Sequence, residues 1–326
     1  MTGIETPLTR LLGCTVPVQQ AGFGGALNTR LAAAVAQAGG IGMLGGALAG
    51  ADALGYAIAE VRAGGHGAVG VNFVVPFLDV AEHRAALDVA AAGADLVEFF
   101  YAEPDPALVE LVRAGGARVG WQVGSAREAR SAAAAGVDVV VLQGIEAGGH
   151  VRATAGLLPM LAAVLDAVDV PVIAAGGIAT PRAMAAVLAA GAAGVRMGTR
   201  FVASLESDFH LDYKAALVAA EAGDTVYTER FAELWPGAPH RVLRSAIAAA
   251  EAGTEPIVGS MSAGAGRIDV PRFAGFAPVA DATGDVAAMA LFAGEGVGEI
   301  AEVLPAGDIV RLFGERAAVL LGTPRC

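Results

Sequence analysis

The feature that most constrains the fold of this chain is a repeated unit. An alanine-rich amphipathic helix, a glycine near its end and a short, unbroken apolar run follow one another along the first 200 residues or so. A glycine in that place is the usual left-handed cap of a helix, and an unbroken apolar run is typical of a strand buried in a parallel sheet. The repeat predicts eight strands, at residues 16–21, 41–44, 69–73, 96–99, 118–123, 137–142, 172–175 and 195–197.

The number of these units favours one architecture. Eight consecutive βα units favour a closed (β/α)8 TIM barrel over the alternative, an open doubly wound sheet. In both, right-handed connections place the carboxyl ends of all strands on one face. The rhythm changes after Met197, where the chain becomes more polar and where the Gly- and Ser-rich residues 253–266 predict a loop. We therefore predict a barrel at residues 1–205, a smaller, mostly helical lid inserted late in the chain at 206–294, and C-terminal helices at 295–326 that return to the barrel.

The charge balance and the termini limit the partners. With 21 basic and 33 acidic residues the net charge is −12, so the chain lacks the basic surface that nucleic acids and anionic membranes require. Apolar runs are too short to span a membrane, and the first residues lack the features of a signal peptide. Cys14 and Cys326 have no metal-ligand spacing and are interpreted as free thiols. We expect a cytoplasmic protein.

Three consecutive strands end in glycine-rich segments. The sixth strand is followed by Gln143-Gly144-Ile145-Glu146-Ala147-Gly148-Gly149-His150, the seventh by Gly176-Gly177, and the eighth by Gly198-Thr199. Barrels commonly bind phosphate with main-chain N–H groups after the last two strands, helped by the positive end of a following helix. These glycines and Thr199 therefore predict a phosphate site. The alternative is that the glycines only form tight turns.

One histidine is placed for chemistry. His150 follows its strand onto the carboxyl face of the barrel, whereas His66 precedes its strand and belongs to the opposite face. His83, His210 and His240 lie in polar helical or loop contexts, where we expect them to be solvated. An imidazole titrates near neutral pH, so His150 is a candidate base for taking a proton from a weakly acidic carbon.

Other chemistries of this fold are disfavoured. A Schiff-base mechanism needs a lysine on a barrel strand, and the only lysine, Lys214, lies beyond the eighth strand. Glu146 and His150 are close in sequence, but no second histidine or carboxylate cluster accompanies them, so we predict no metal site. The amide side chains of Asn72, Gln122 and Gln143 end three strands and suit a planar heterocycle. Together with a phosphate site they predict FMN.

The motif from Gln143 to His150 resembles that of the nitronate monooxygenase (2-nitropropane dioxygenase) family of flavin-dependent barrels. Segments 31–44, 70–72, 174–178 and 197–201 support the likeness, which covers about residues 16–216. The resemblance implies non-covalent FMN with its phosphate on Gly176, Gly177, Gly198 and Thr199. It further implies contacts with the flavin from Ala21, Gly22, Phe23, Asn72, Gln122, Gln143, Gly148 and Gly149.

The resemblance also implies an activity. His150 would be the catalytic residue, which takes the α-proton of a nitroalkane or orients its nitronate. The substrates would be this small molecule and O2, and the products a carbonyl compound and nitrite. A homodimer is compatible with such an enzyme.

Three departures from the family pattern leave the identity of the substrate undetermined. Phe23 stands where relatives usually carry methionine, Val151-Arg152 follows His150 where a second glycine is common, and Ser245 follows Arg244 where asparagine often stands. The main alternative is an FMN-dependent enoyl-acyl-carrier-protein reductase or another NAD(P)H-dependent flavin reductase. A further alternative is an isomerase or lyase that binds a phosphate-bearing ligand without flavin.

Overall fold

A closed barrel of eight parallel strands forms the centre of the molecule. The computed structural model describes residues 3–23, 27–46, 49–264 and 266–322. The first strand pairs with the second through Gln19 and Ile41 and with the last through Val18 and Val195, so the sheet has no free edge. The predicted barrel is confirmed, and the open sheet is excluded. The barrel strands are β1 (Val18–Gln20), β2 (Ile41–Gly45), β3 (Ala68–Val74), β4 (Leu96–Phe100), β5 (Arg118–Val123), β6 (Val139–Gln143), β8 (Val172–Ala175) and β9 (Gly194–Met197), while β7 (Gly149–His150) lies outside the barrel.

Helices surround the barrel. Gly116 and Gly136 end two of them in the left-handed conformation, as the repeat predicts. The last helix of the ring packs between the first and the seventh, next to the point where the barrel closes. The surrounding helices are α2 (Thr29–Gln37), α3 (Ala51–Ala63), α4 (Arg84–Gly93), α5 (Pro106–Gly115), α6 (Ala126–Ala135), α7 (Leu157–Leu165), α8 (Pro181–Ala189) and α12 (Ala306–Leu320).

The barrel interior is divided into an apolar and a polar layer. Helix α1 (Pro7–Leu12) closes the amino-terminal end, where Leu8 and Leu12 pack with Ile41, Met43 and other inward side chains. Toward the carboxyl ends of the strands the inward side chains become polar, and all of them are at most 6% exposed. We call the hydrogen-bonded part of this region the polar layer; it consists of Gln19, Asn72, Glu98, Gln122 and Arg196.

The late segment, residues 206–294, differs from the expected helical lid. It holds as much strand as helix, because the Gly- and Ser-rich stretch expected to be a loop forms an exposed antiparallel hairpin. The division of the chain into three units, at 205 and 294, stays a prediction. The elements of the late segment are α10 (Leu211–Ala219), β10 (Thr225–Thr228), β11 (His240–Leu243), α11 (Arg244–Ala252), β12 (Ile257–Ala263), β13 (Gly266–Pro271) and β14 (Thr283–Gly284); α9 (Thr199–Val202) precedes it.

Cys14 is a free, buried thiol, and burial raises its pKa to about 12, so it is not a thiolate near neutral pH. Cys326 lies outside the described residues. Among the residues that the structure describes, no helix combines the length and the apolar character needed to cross a membrane.

Close packing of helix α2 on the barrel gives a test of the fold. A Cβ on Gly42 of β2 would lie 2.1 Å from the carbonyl oxygen of Ala32 in α2, so Gly42→Ala must push the helix from the sheet. We expect it to lower the free energy of unfolding by about 1–3 kcal/mol, measured by urea denaturation. The control is Gly50→Ala, where a Cβ meets nothing within 4 Å. Equal stability of both variants would contradict this packing.

Candidate active site

The loops that follow β6 and β8 lie against each other at the carboxyl end of the barrel. A Cβ on Gly176 would lie 3.2 Å from the amide nitrogen of Ala147, and one on Gly177 would lie 3.2 Å from the Cβ of Glu146. Both glycines have positive φ, 116° and 66°, which side-chain-bearing residues rarely adopt. The predicted glycines therefore bring two main chains together and leave them half-exposed to a ligand.

Thr199 adds a directed hydroxyl beside these loops. It follows Gly198 at the end of β9, and both residues are half-exposed. Its Oγ1 accepts a hydrogen bond from the amide of Gly294 at 3.0 Å. Because this bond occupies the oxygen as an acceptor, the hydroxyl proton is left to donate to another group. An anion such as a phosphate is a suitable acceptor.

Residues 294–296 complete this region. The sequence had not indicated that they belong to the site. A Cβ on Gly148 would lie 2.5 Å from the amide nitrogen of Gly294, and a Cβ on Gly296 would lie 2.4 Å from the carbonyl oxygen of Gly177. The amide of Glu295 donates to the carbonyl of Glu146 at 2.9 Å. The glycine pair at 294 and 296 was a signal comparable to the glycines that were singled out.

Arg241 of β11 binds both the loop that follows β6 and the segment at residues 294–296. Its guanidinium donates to the carbonyl of Ile145 through Nε and a terminal nitrogen, at 3.1 and 2.9 Å, and forms an ion pair of 2.9 Å with Glu295. The side chain is only 8% exposed. Glu146, in contrast, caps α7, since its carboxylate accepts the amide of Leu157 at 2.9 and 3.0 Å.

The backbone of His150 is held from two sides. Strand β7 pairs with β11 of the late segment, with His150 opposite His240, and the next amide, that of Val151, donates to the carbonyl of Pro239 at 2.9 Å. From the barrel side, Nε2 of Gln143 donates to the carbonyl of His150 at 2.9 Å, and its Oε1 accepts the amide of Arg152 at 3.3 Å. Gln143, predicted to contact a flavin, is thus also the residue that ties His150 to the barrel.

Aromatic rings enclose the imidazole of His150. The ring centroid of Trp235 lies 4.3 Å away, that of His240 5.4 Å, that of Phe292 5.5 Å and that of Tyr101 6.1 Å. Burial, together with the neighbouring His240, lowers the pKa of His150 to about 3, so the ring is neutral near pH 7. Its Nε2 is buried and makes no hydrogen bond to any of the described residues. A buried ring nitrogen without a partner is suited to a group that a ligand supplies.

The expectation for His240 was wrong. Its side chain is fully buried, and both ring nitrogens have backbone partners: Nδ1 lies 3.0 Å from the carbonyl of Ala238, and Nε2 accepts the amide of Phe231 at 3.2 Å. Burial lowers its pKa. His240 is therefore a neutral structural group that stiffens β11 behind His150, which the polar flanking sequence concealed.

Tyr101 and Trp235 form the wall of this enclosure. Tyr101 follows β4 with a positive φ of 69°, which is rare for a residue with a side chain and costs conformational energy. Its ring lies 4.5 Å from Trp235, which also contacts Phe77 at 4.7 Å. Burial raises the pKa of Tyr101 to about 12, so its hydroxyl stays protonated and can donate.

The remaining predicted residues lie around the polar layer. The amide of Ala21 donates to the carbonyl of Met197 at 2.9 Å, and a Cβ on Gly22 would lie 2.5 Å from the Cβ of Asn72. Phe23 packs edge-on against Phe209 at 5.0 Å. Gly148 and Gly149 are half-exposed next to His150, while Asn72 and Gln122 are 4% and 5% exposed and bonded within the polar layer. The structure thus places all the predicted residues at the carboxyl end of the barrel.

Comparison with known proteins agrees with this arrangement. The sequence profile of the family described as nitronate monooxygenase matches residues 5–314. A probable nitronate monooxygenase from Staphylococcus saprophyticus is 29% identical over 268 residues, 69% of this chain and 76% of the relative. A relative from Mycobacterium tuberculosis, (3aS,4S,5R,7aS)-5-hydroxy-7a-methyl-1-oxo-octahydro-1H-indene-4-carboxyl-CoA dehydrogenase, is 39% identical over 247 residues, 75% of this chain and 67% of its own length.

Solved structures give the same result. FabK from Thermotoga maritima superimposes with a TM-score of 0.79 and 29% identity, over 98% of each chain. Nitroalkane oxidase from Streptomyces ansochromogenes superimposes with a TM-score of 0.75 and 30% identity, over 96% of this chain and 98% of the other. The chain belongs to the nitronate monooxygenase family and is a flavin-dependent oxidoreductase.

Proposed function

We propose that this enzyme uses FMN and O2 to oxidise alkyl nitronates, or the nitroalkanes from which they form, to a carbonyl compound and nitrite. The observation that carries the proposal is the neutral imidazole of His150, whose buried Nε2 has no partner among the described residues. It stands beside strand ends whose half-exposed main chain suits a phosphate-bearing cofactor. A base next to a flavin is what the oxidation of a carbon acid requires.

FMN fits the residues present. Its phosphate would be bound by the main chain at Gly176, Gly177, Gly198 and Thr199, with the Thr199 hydroxyl as an additional donor. Asn72 and Gln122 would meet the ring, and Ala21, Gly22, Phe23, Gly148 and Gly149 would pack around it. When bound, the flavin supplies an electron acceptor that O2 can reoxidise.

His150 would take the proton from the substrate carbon at Nε2. Its low pKa keeps the imidazole neutral over the whole physiological range, and in the tautomer that carries its proton on Nδ1 the Nε2 atom is free to accept a proton. The apolar rings around His150 would destabilise the imidazolium that forms when the proton is transferred. The negative charge left on the nitronate would stabilise it, because the two opposite charges lie close together. The Tyr101 hydroxyl would be the nearby donor to an oxygen of the substrate.

A second candidate is the oxidation or reduction of an acyl thioester, the first by a CoA-ester dehydrogenase and the second by an NAD(P)H-dependent enoyl reductase. It is supported by the 39% identity to a carboxyl-CoA dehydrogenase and by the likeness to FabK. The carbon next to a thioester carbonyl is also a weak acid, so the same base would serve.

Membership of a flavin enzyme family excludes the flavin-free isomerase or lyase. A cytoplasmic location and a homodimer stay predictions.

Flavin reduction under anaerobic conditions distinguishes these functions. The FMN-loaded enzyme is mixed with a primary nitronate, with a saturated acyl-CoA, or with NADPH, and the visible flavin absorbance is followed. The proposal predicts rapid bleaching by the nitronate, and nitrite on admission of air. Bleaching by the acyl-CoA or by NADPH alone would instead assign the second candidate.

The role of His150 can be tested by substitution. His150→Ala removes the base, so kcat/KM for neutral nitroalkanes should fall roughly 10²- to 10⁴-fold, while bound FMN is retained and preformed nitronates lose less. His66→Ala is the control, because His66 is exposed on the opposite face of the barrel. Unchanged turnover of neutral nitroalkanes in His150→Ala would refute the assignment.

The low pKa of His150 predicts an unusual pH dependence. Because the neutral form persists down to about pH 3, kcat/KM for a neutral nitroalkane, whose α-proton His150 would take, should show no ionisation near 6.5 and should fall only as the pH approaches that low value. The profile is measured between about pH 5 and 8 with the nitroalkane added in its neutral form. A limb near 6.5 that disappears in His150→Gln would show instead that His150 titrates like an exposed histidine.

Gly177→Val tests the phosphate site. The side chain would force a residue with φ of 66° out of its conformation and against Glu146, so we expect the purified protein to lose FMN during gel filtration, measured as visible absorbance. Gly65→Val is a matched control, since Gly65 also has positive φ, 80°, but lies before β3 at the other end of the barrel with nothing near its Cβ. Equal retention in both variants would contradict the predicted site.

A further inference from the structure

Glu98 is a fully buried carboxylate at the centre of the polar layer. It lies on β4, with no exposed surface, and points into the barrel. Its Oε2 accepts a hydrogen bond from Nε2 of Gln19 at 3.2 Å and pairs with Arg196, while its Oε1 accepts Nδ2 of Asn72 at 3.3 Å. The carboxylate therefore joins three other barrel strands, β1, β3 and β9.

Arg196 is the matching cation on β9. It is 6% exposed, and besides Glu98 it donates to Oε1 of Gln19 at 3.0 Å and to Oε1 of Gln122 at 2.5 Å. A buried ion pair gives little net stability, because the attraction must first offset the loss of hydration of both charges. Well-packed apolar residues would support the barrel equally well. The pair therefore calls for a role other than stability.

These bonds decide which way two amides face. Since Oε1 of Gln122 is bound to Arg196, its NH2 group is left as a donor. Since Nδ2 of Asn72 is bound to Glu98, its Oδ1 is left as an acceptor. An isolated amide could flip and exchange these roles, but the charged partners fix them. The polar layer thus presents one fixed donor and one fixed acceptor.

We propose that Arg196 and Glu98 are positioning residues that orient Gln122 and Asn72 toward the ring of the flavin. The pyrimidine edge of a flavin alternates hydrogen-bond acceptors and a donor, so a fixed donor beside a fixed acceptor matches it. The opposite charges of the pair also cancel beneath the ring. This inference rests on the proposed FMN site and adds two residues that act through Gln122 and Asn72.

The test compares FMN affinity with stability. In Glu98→Leu/Arg196→Met both charges are replaced by apolar side chains, so no buried charge is left unpaired, and the thermal midpoint of the apoprotein should fall only because the amides of Gln19, Asn72 and Gln122 lose a partner. Measured well below that midpoint, where the apoprotein is folded, the affinity for FMN should fall roughly ten- to hundredfold, as it does for metals when the partners that orient their ligands are lost. Affinity is measured by quenching of FMN fluorescence. The control is Asp138→Asn, which breaks the 3.0 Å pair with Arg113 at the amino-terminal end of β6 and should lower stability without changing FMN affinity.

Single variants give a second readout. Arg196→Gln leaves the negative charge of Glu98 near the ring and should lower the reduction potential of bound FMN, whereas Glu98→Gln leaves the positive charge and should raise it. Shifts of opposite sign support the proposal, and equal shifts or none overturn it. If a single variant does not fold, the double variant decides.

The outcomes separate this inference from the proposed function. If wild-type apoprotein does not bind FMN, the proposed cofactor is wrong. If wild type binds FMN and the double variant binds it equally well, the flavin site stands and the positioning role of Arg196 and Glu98 is refuted.

Discussion

The site depends on the short antiparallel pairing of β7 with β11. Without it, the glycine-rich chain after β6 would be held near His150 only by the side chain of Gln143 on the barrel. The pairing sets His150 opposite His240 and carries Trp235 and Phe292 of the late segment to the imidazole. The pairing of β7 with β11 therefore helps to fix the position of the His150 imidazole, shields it from water and lowers its pKa. The properties of His150 as a base thus depend on the contact between the late segment and the barrel.

Below that contact, two kinds of group face the proposed ligand. They are the main chain of the loops that follow the strands, and the side-chain amides of the polar layer inside the barrel. Glycines that follow β6 and β8 allow the backbone loops to pack at distances that side chains would forbid. The polar layer replaces the usual apolar filling of a barrel at the level where the strands end. The apolar packing of α1 against the inward aliphatic side chains stabilises the barrel. The polar layer is therefore available to bind a ligand.

Much of this could be predicted from the sequence because it is local. All eight barrel strands were predicted from apolar runs bounded by glycine, and the position of His150 followed from its place after a strand. Features that depend on distant partners were missed. Glu98 and Arg196 are 98 residues apart, and each alone looks like a single charge within an apolar strand. His240 has polar neighbours yet is buried, and the Gly- and Ser-rich hairpin of β12 and β13 carries too weak an apolar pattern to indicate strands.

The proposed function requires a cofactor held by its phosphate at the ends of β8 and β9. The affinity of the apoprotein for FMN relative to its affinity for riboflavin measures this hold most directly. The two ligands share the ring and differ only in the phosphate. We predict that FMN binds at least about a hundredfold more tightly, the equivalent of roughly two charge-assisted hydrogen bonds. Equal affinity for the two would contradict the phosphate site and the placement of the ring next to His150.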